Sequence, residues 1–180
     1  MDNSSPTMSP QDIAKIAGRA AAQEINRLQD KQKREMQDAR YKNVKLLMKN
    51  YRDFNATCDN AVARVQDSEE CIDFEALMNP LKDPDEFIES IKRSAIRTKV
   101  MVEHVNAMLR VYKHIATNWG SPEDLRKFDT LYYLYIADEP MTIDEIADFH
   151  SVTPRMAYID LEDATQRAAS LFWGASWLFP

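Results

Sequence analysis

Residues 142–164, TIDEIADFHSVTPRMAYIDLEDA, decide the fold. Thr142 stands where a helix needs a cap, and Glu145 three residues on completes the reciprocal pairing of a capping box. Ile146 and Ala147 follow, the small alanine allowing two helices to cross closely. HSVT forms the turn and is expected to bury Val152, after which Thr153 caps a last helix with Pro154 as its first residue. In that helix Ala157, Leu161, Ala164, Ala168 and Leu171 are separated by steps of four, three, four and three, which makes one buried face. The spacing predicts a helix-turn-helix, the shape that lays its second helix in the major groove of DNA. On this register Asp160, Glu162 and Asp163 are expected off the core, on exposed or flanking positions. Burying Asp160 would cost several kcal/mol unless it were paired or neutralised.

Upstream, PEDLRKFDTLYYLYIADE presents Leu125, Phe128, Leu131, Tyr132 and Tyr135 at helical spacing and is closed by Pro140. Ser121 and Pro122 start it, and Gly120 is expected to end the preceding helix in a left-handed conformation. With its apolar tail, LFWGASWLFP, this makes a domain over 121–180; the tail is expected to fold back on the bundle or meet a partner. Before it, Ile88, Ile91, Ala95, Thr98, Val102, Val105, Leu109, Tyr112 and Ala116 alternate steps of three and four, a heptad seam on one long helix over 85–118. That seam suits a bundle helix packed on the earlier helices and an intermolecular coiled coil equally. Residues 67–84, with QDSEE, Pro80 and Pro84, read as a linker.

A basic helical arm is expected over 10–66, after a disordered lead at 1–9. Ser9 can cap it, Pro10 suits its first position and Asp12 its first turn. It carries Ile13, Ile16, Ala17, Ala20, Ile25 and Leu28, then a polar stretch, QDKQKREMQD, expected to be solvated and kinked or frayed. Periodicity returns with Val44, Leu47, Met48, Tyr51, Phe54 and Cys58.

The 180 residues contain 3 glycines, so hairpin-rich sheets and glycine-rich phosphate loops have little to build from, and the chain is expected to be all-α. The net charge of −6 conceals an uneven distribution. Residues 27–52 hold 9 Lys or Arg against 3 acids, a balance of 9 − 3 = +6, whereas residues 120–180 hold 4 against 11, or 4 − 11 = −7. Cys58 and Cys71 form no CxxC, and no HxxxH accompanies them, so neither a metal site nor a cofactor is expected. His104, His114 and His150 pair with no cysteine or serine in a nucleophilic arrangement, so no enzyme is expected. No apolar run approaches the ~20 residues of a bilayer span, and the first residues lack a signal peptide's pattern. A cytoplasmic protein is the simplest expectation.

The segment SPEDLRKFDTLYYLYIADEPMTIDEIADFHSVTPRMAYIDLEDATQRAASLFWG resembles the fourth region of bacterial sigma factors. More closely, it resembles phage transcriptional regulators of the autolysin regulatory protein (ArpU) type. The residues that carry this are Tyr132 to Tyr135, Thr142, Glu145, Ile146, Ala147, Thr153, Tyr158, Ala164 and Ala168, within the last third of the chain. The resemblance implies a regulator of phage or prophage late genes without enzymatic activity. Its relatives place Lys or Arg mid-way along the recognition helix, where this chain has IDLED.

DNA contact is therefore expected from the start of that helix. Arg155 can reach guanine or phosphate, Thr153 phosphate and Ile159 a thymine methyl, with Tyr158 beside them. Glu162 and Asp163 would repel phosphates, so weak binding is expected unless Arg34, Arg40, Lys42, Lys45 and Lys49 of the arm add phosphate contacts. The expected partners are duplex DNA, RNA polymerase and a second copy paired through the 88–116 seam. The rival reading is an oligomeric adaptor whose acidic helix-turn-helix binds protein. A phage packaging subunit is a third, weakened because such proteins carry the DNA-binding module first.

Overall fold

The computed structural model describes residues 9–61, 83–93 and 95–174. These are helical, in the order α1 (Pro10–Lys49), α2 (Tyr51–Ala61), α3 (Pro84–Lys92), α4 (Ala95–Asn118), α5 (Pro122–Tyr135), α6 (Ile143–Phe149) and α7 (Pro154–Phe172). Residues 1–8, Cys71, most of the 67–84 linker, and Trp177, Leu178 and Phe179 of the tail lie outside the described residues. The chain divides into two compact units, Met1–Met36 and Gln37–Pro180, and α1 contributes to both. Among the described residues no helix is long and apolar enough to cross a membrane.

α1 begins as its sequence dictates. The Ser9 hydroxyl accepts from the Asp12 amide at 3.2 Å and donates to the Asp12 carboxylate at 2.7 Å. The polar stretch at 29–38 is helical, within α1, which is assigned as one α-helix of 40 residues. Ala, Gln, Lys, Arg and Glu, all good helix formers, fill it, and intrahelical pairs such as Arg27–Glu24 (2.7 Å) add local support. Every residue from 9 to 35 is exposed.

The core lies in the second unit. Val44, Leu47 and Met48 of α1, Tyr51, Phe54 and Cys58 of α2, and Phe87, Ile88 and Ile91 of α3 surround one face of α4. That face is the heptad seam: Thr98, Val102, Val105, Leu109, Tyr112 and Ala116 are all buried, with Met101 and Met108 buried beside them. Each large side chain there, such as Met101 or Val105, stabilises the fold by about 1.5–3 kcal/mol through burial. The seam therefore packs against the chain's own helices, the first of its two alternatives. It is also not one helix, since α3 ends at Lys92 and α4 starts at Ala95. At the break the Ile91 carbonyl accepts the Thr98 hydroxyl at 3.0 Å. Asp83 caps α3 by accepting from the Asp85 amide at 3.0 Å, which places the start at Pro84 rather than Asp85.

Gly120 follows α4 without a left-handed φ; among the described residues positive φ occurs at Ser151 and Gly174. Glycine is needed there for close approach, because a Cβ would lie 2.7 Å from the Ala116 carbonyl oxygen and 2.9 Å from Asp124 Cβ. Of the apolar tail, Leu171 and Phe172 end α7, and Trp173 packs on Phe87 with its indole N–H donating to the Arg40 carbonyl at 3.4 Å.

Candidate nucleic-acid interface

The last three helices are each started by the residues that predict them. Ser121 and Asp124 close a capping box on α5, Thr142 and Glu145 close another on α6, and Thr153 accepts from the Met156 amide to cap α7, with Pro154 next. Their hydrogen bonds hold the Asp124 and Glu145 carboxyls below the usual carboxylate range. Ile146 and Ala147 are buried, as the close crossing of α6 and α7 requires. The turn is tight: the Val152 amide donates to the Ala147 carbonyl at 2.9 Å, and Ser151 takes a φ of 54°. Val152 is half-buried rather than fully enclosed, because it lies at the turn's edge. Tyr132, expected in the core, is 37% exposed and stacks on Phe128.

The buried face of α7 contains Ala157, Ala164 and Ala168 as expected, while Leu161 and Leu171 are half-buried at its margins. It also contains Asp160, which is 1% exposed, correcting the expectation that this acid sits off the core. Asp160 lies three residues after Ala157 and four before Ala164, so helix geometry puts it on the same stripe. The carboxylate is tolerated because Arg126 of α5 grips it with two hydrogen bonds, Nε to Oδ2 at 2.7 Å and an Nη2 bond to Oδ1 at 3.3 Å. That pairing raises the Arg126 pKa above its ordinary value.

Asp163 is likewise engaged, 2.9 Å from Lys127 Nζ, which Glu123 also contacts at 3.0 Å. Hydrogen bonding to these two acids raises the Lys127 pKa. Two of the three acids that looked hostile to DNA thus serve to fasten α7 to α5.

What remains outward is the start of α7. Thr153, Arg155, Met156, Tyr158 and Ile159 are all exposed, Tyr158 at 61% and Ile159 at 46%. No ion pair among the described residues engages Arg155. The Thr153 hydroxyl is already used in capping, but it retains donor capacity. Met156, 39% exposed, was not expected at the interface; its position two residues into the helix after Pro154 was the available signal.

The arm's cations do not behave alike. Lys45 and Lys49, both exposed, line a cleft of about 470 Å³ together with Tyr41, Tyr135, Tyr158 and Glu162. The fold therefore brings two of the expected auxiliary cations beside α7, and sets Glu162 among them. Arg40 is otherwise occupied, half-buried with its guanidinium 5.8 Å above the Trp173 ring. Lys42 is exposed, and Arg34 is exposed within the first unit. Arg52, which the sequence did not single out, donates to the Leu134 carbonyl near the end of α5 at 3.3 Å.

The histidines take structural positions. His104 Nε2 donates to the Phe172 carbonyl at 3.0 Å, His114 stacks edge-on with Trp119, and His150 lies 4.0 Å from Asp129. Burial raises the Asp129 pKa, with His150 and Lys113 opposing the shift. No family model matches this chain, and neither a curated protein nor a solved structure matches it.

Proposed function

We propose that this protein is a sequence-specific, duplex-DNA-binding transcription regulator of the phage or prophage late-gene type, acting through α6 and α7. The observation that carries this reading is the division of labour along α7. Asp160 and Asp163 are held by Arg126 and Lys127, leaving Arg155, Met156, Tyr158 and Ile159 exposed at the helix start. A groove-entering helix meets bases with that end. Arg155 suits guanine O6 and N7, and the apolar trio suits thymine methyls. Lys45 and Lys49, lining the cleft with Tyr158, supply phosphate contacts beside it.

The test is fluorescence anisotropy with a labelled random duplex pool, selected for tight binders and titrated at several salt concentrations. The two phosphate contacts of Lys45 and Lys49 give a slope of about −1.8 in log affinity against log salt. Arg155→Glu should abolish binding. Lys45→Glu with Lys49→Glu should weaken all sequences alike and flatten the slope by about 1.8. An absence of binding at low salt, with or without RNA polymerase, would remove the proposal's support. The rival adaptor reading relied on the 88–116 seam as its oligomerising surface, and that seam is buried within the chain.

A further inference from the structure

A second cleft, of about 280 Å³, opens where α2, α4 and the end of α5 meet. Its floor is apolar: Leu109 and Phe128 are 6% and 2% exposed, and Tyr132 stacks on Phe128 with ring centres 5.8 Å apart. Polar groups surround that floor. The Tyr51 hydroxyl donates to Asn106 Oδ1 at 2.6 Å, which leaves the Asn106 amide nitrogen to donate into the cleft. Arg110, Lys113 and Asp138 form the rim; all three are exposed, and no ion pair among the described residues engages them.

These charges are ordered along the cleft. Burial holds the Tyr51 hydroxyl above the usual phenol range and the nearby Asp138 carboxylate adds to that, which sets the acid at the level of Tyr51 and Asn106. Arg110 and Lys113 follow Asn106 on α4, about 6 and 10 Å further along the helix axis. Lys113 also acts on Asp129, so Arg110 is the cation most open to a ligand.

We infer that this cleft binds a free α-amino acid with an apolar side chain. Its ammonium meets Asp138, its carboxylate meets Arg110 and the Asn106 amide, and its side chain lies over Leu109, Phe128 and Tyr132. Two charge-assisted hydrogen bonds of about 2.8 Å each, added to the few ångströms between the two charges of an amino acid, span the interval from Asp138 to Arg110. The volume limits the size: ligand pockets run from about 300 to 1,000 Å³, so this one suits a single small metabolite. A purely apolar ligand leaves both rim charges unused, and the phosphates of a nucleotide would meet Asp138 as well as Arg110. The site is independent of the DNA-binding reading, and no DNA enters its test.

Isothermal titration calorimetry of the full chain with L-leucine and L-phenylalanine should show saturable binding of at least one of them by about 10 mM. Isocaproate, which lacks the ammonium, and isoamylamine, which lacks the carboxylate, should each bind at least about tenfold more weakly than leucine. Arg110→Gln and Asp138→Asn should each weaken amino-acid binding by about 10–100-fold. Both residues are exposed, so the melting temperature of each ligand-free variant should stay within about 2 °C of the natural protein's. No binding of either amino acid, an analogue that binds as tightly as leucine, or binding unaltered in either variant each overturns the inference. So does competition by N-acetyl-leucinamide, which keeps the side chain without either charge and would mark the cleft as a seat for a peptide segment.

Discussion

Replacing Arg126 by Met tests the clamp that orients α7. Arg126 is 23% exposed at its side chain and Asp160 1%, so the two partners are not equivalent. Removing the arginine strands a carboxylate in the core, where water cannot reach it, and breaking a buried pair in this way costs about 3–5 kcal/mol. Removing the carboxylate by Asp160→Leu leaves a guanidinium that already touches solvent, and the cost falls to about 1–2 kcal/mol. The double variant faces two apolar side chains of similar bulk across α5 and α7, and should return to within about 1 kcal/mol of the natural protein. The pairwise coupling is then on the order of 3 kcal/mol or more, well above the scatter expected for independent sites. Urea unfolding followed by far-UV circular dichroism measures all four corners of the cycle. Thermal melting should show Arg126→Met about 6–20 °C lower, at roughly 2–4 °C per kcal/mol for a chain of this size. A loss under about 1 kcal/mol in Arg126→Met, or additive single effects, would refute the argument that this pair is a buried fastening.

Three other expectations follow from local geometry. Ser151 has a φ of 54°, so Ser151→Gly should be neutral or slightly stabilising, whereas the β-branched Ser151→Val should cost about 1–2 kcal/mol by chemical denaturation. Gly120→Ala drives a Cβ to 2.7 Å from a backbone oxygen and should cost about 1–3 kcal/mol, while Gly18→Ala, with nothing within 4 Å, should favour helix by about 0.5–1 kcal/mol. The Glu145 carboxyl, held below its ordinary 4.5 by the Thr142 amide and hydroxyl, contributes stability that is present above that value. That contribution is lost as pH falls through the folded-state value, so Glu145→Gln should show a shallower acid-induced loss of melting temperature.

Local signals read well in this chain because they act over three or four residues. Ser9, Ser121, Thr142 and Thr153 all cap the helices they were expected to cap, and each makes its bond to an amide three positions on. The alanine stripe of α7 and the heptad seam of α4 are both buried where periodicity puts them. The break between α3 and α4 was hidden for a related reason: the spacing from Ile91 to Thr98 stays in phase across it, so a count of apolar steps sees one helix.

Asp160 shows where such counting stops. A stripe built only from apolar residues passes over an aspartate at an equally inward position, since burial of a charge depends on a partner elsewhere in the chain. That partner, Arg126, is 34 residues away, and no local rule connects the two. The same holds for Arg40, Lys45 and Lys49: their positive charge was plain in the sequence, but not that Arg40 lies over Trp173 while the lysines flank Tyr158. The sequence by itself determined the all-helical class, the starts of α1, α5, α6 and α7, and the turn, because those depend on short-range backbone hydrogen bonds and side-chain periodicity. Only the tertiary structure decided which charges are used to hold α7 in place and which remain exposed beside it, because that choice depends on which distant side chains the packing brings within hydrogen-bonding reach.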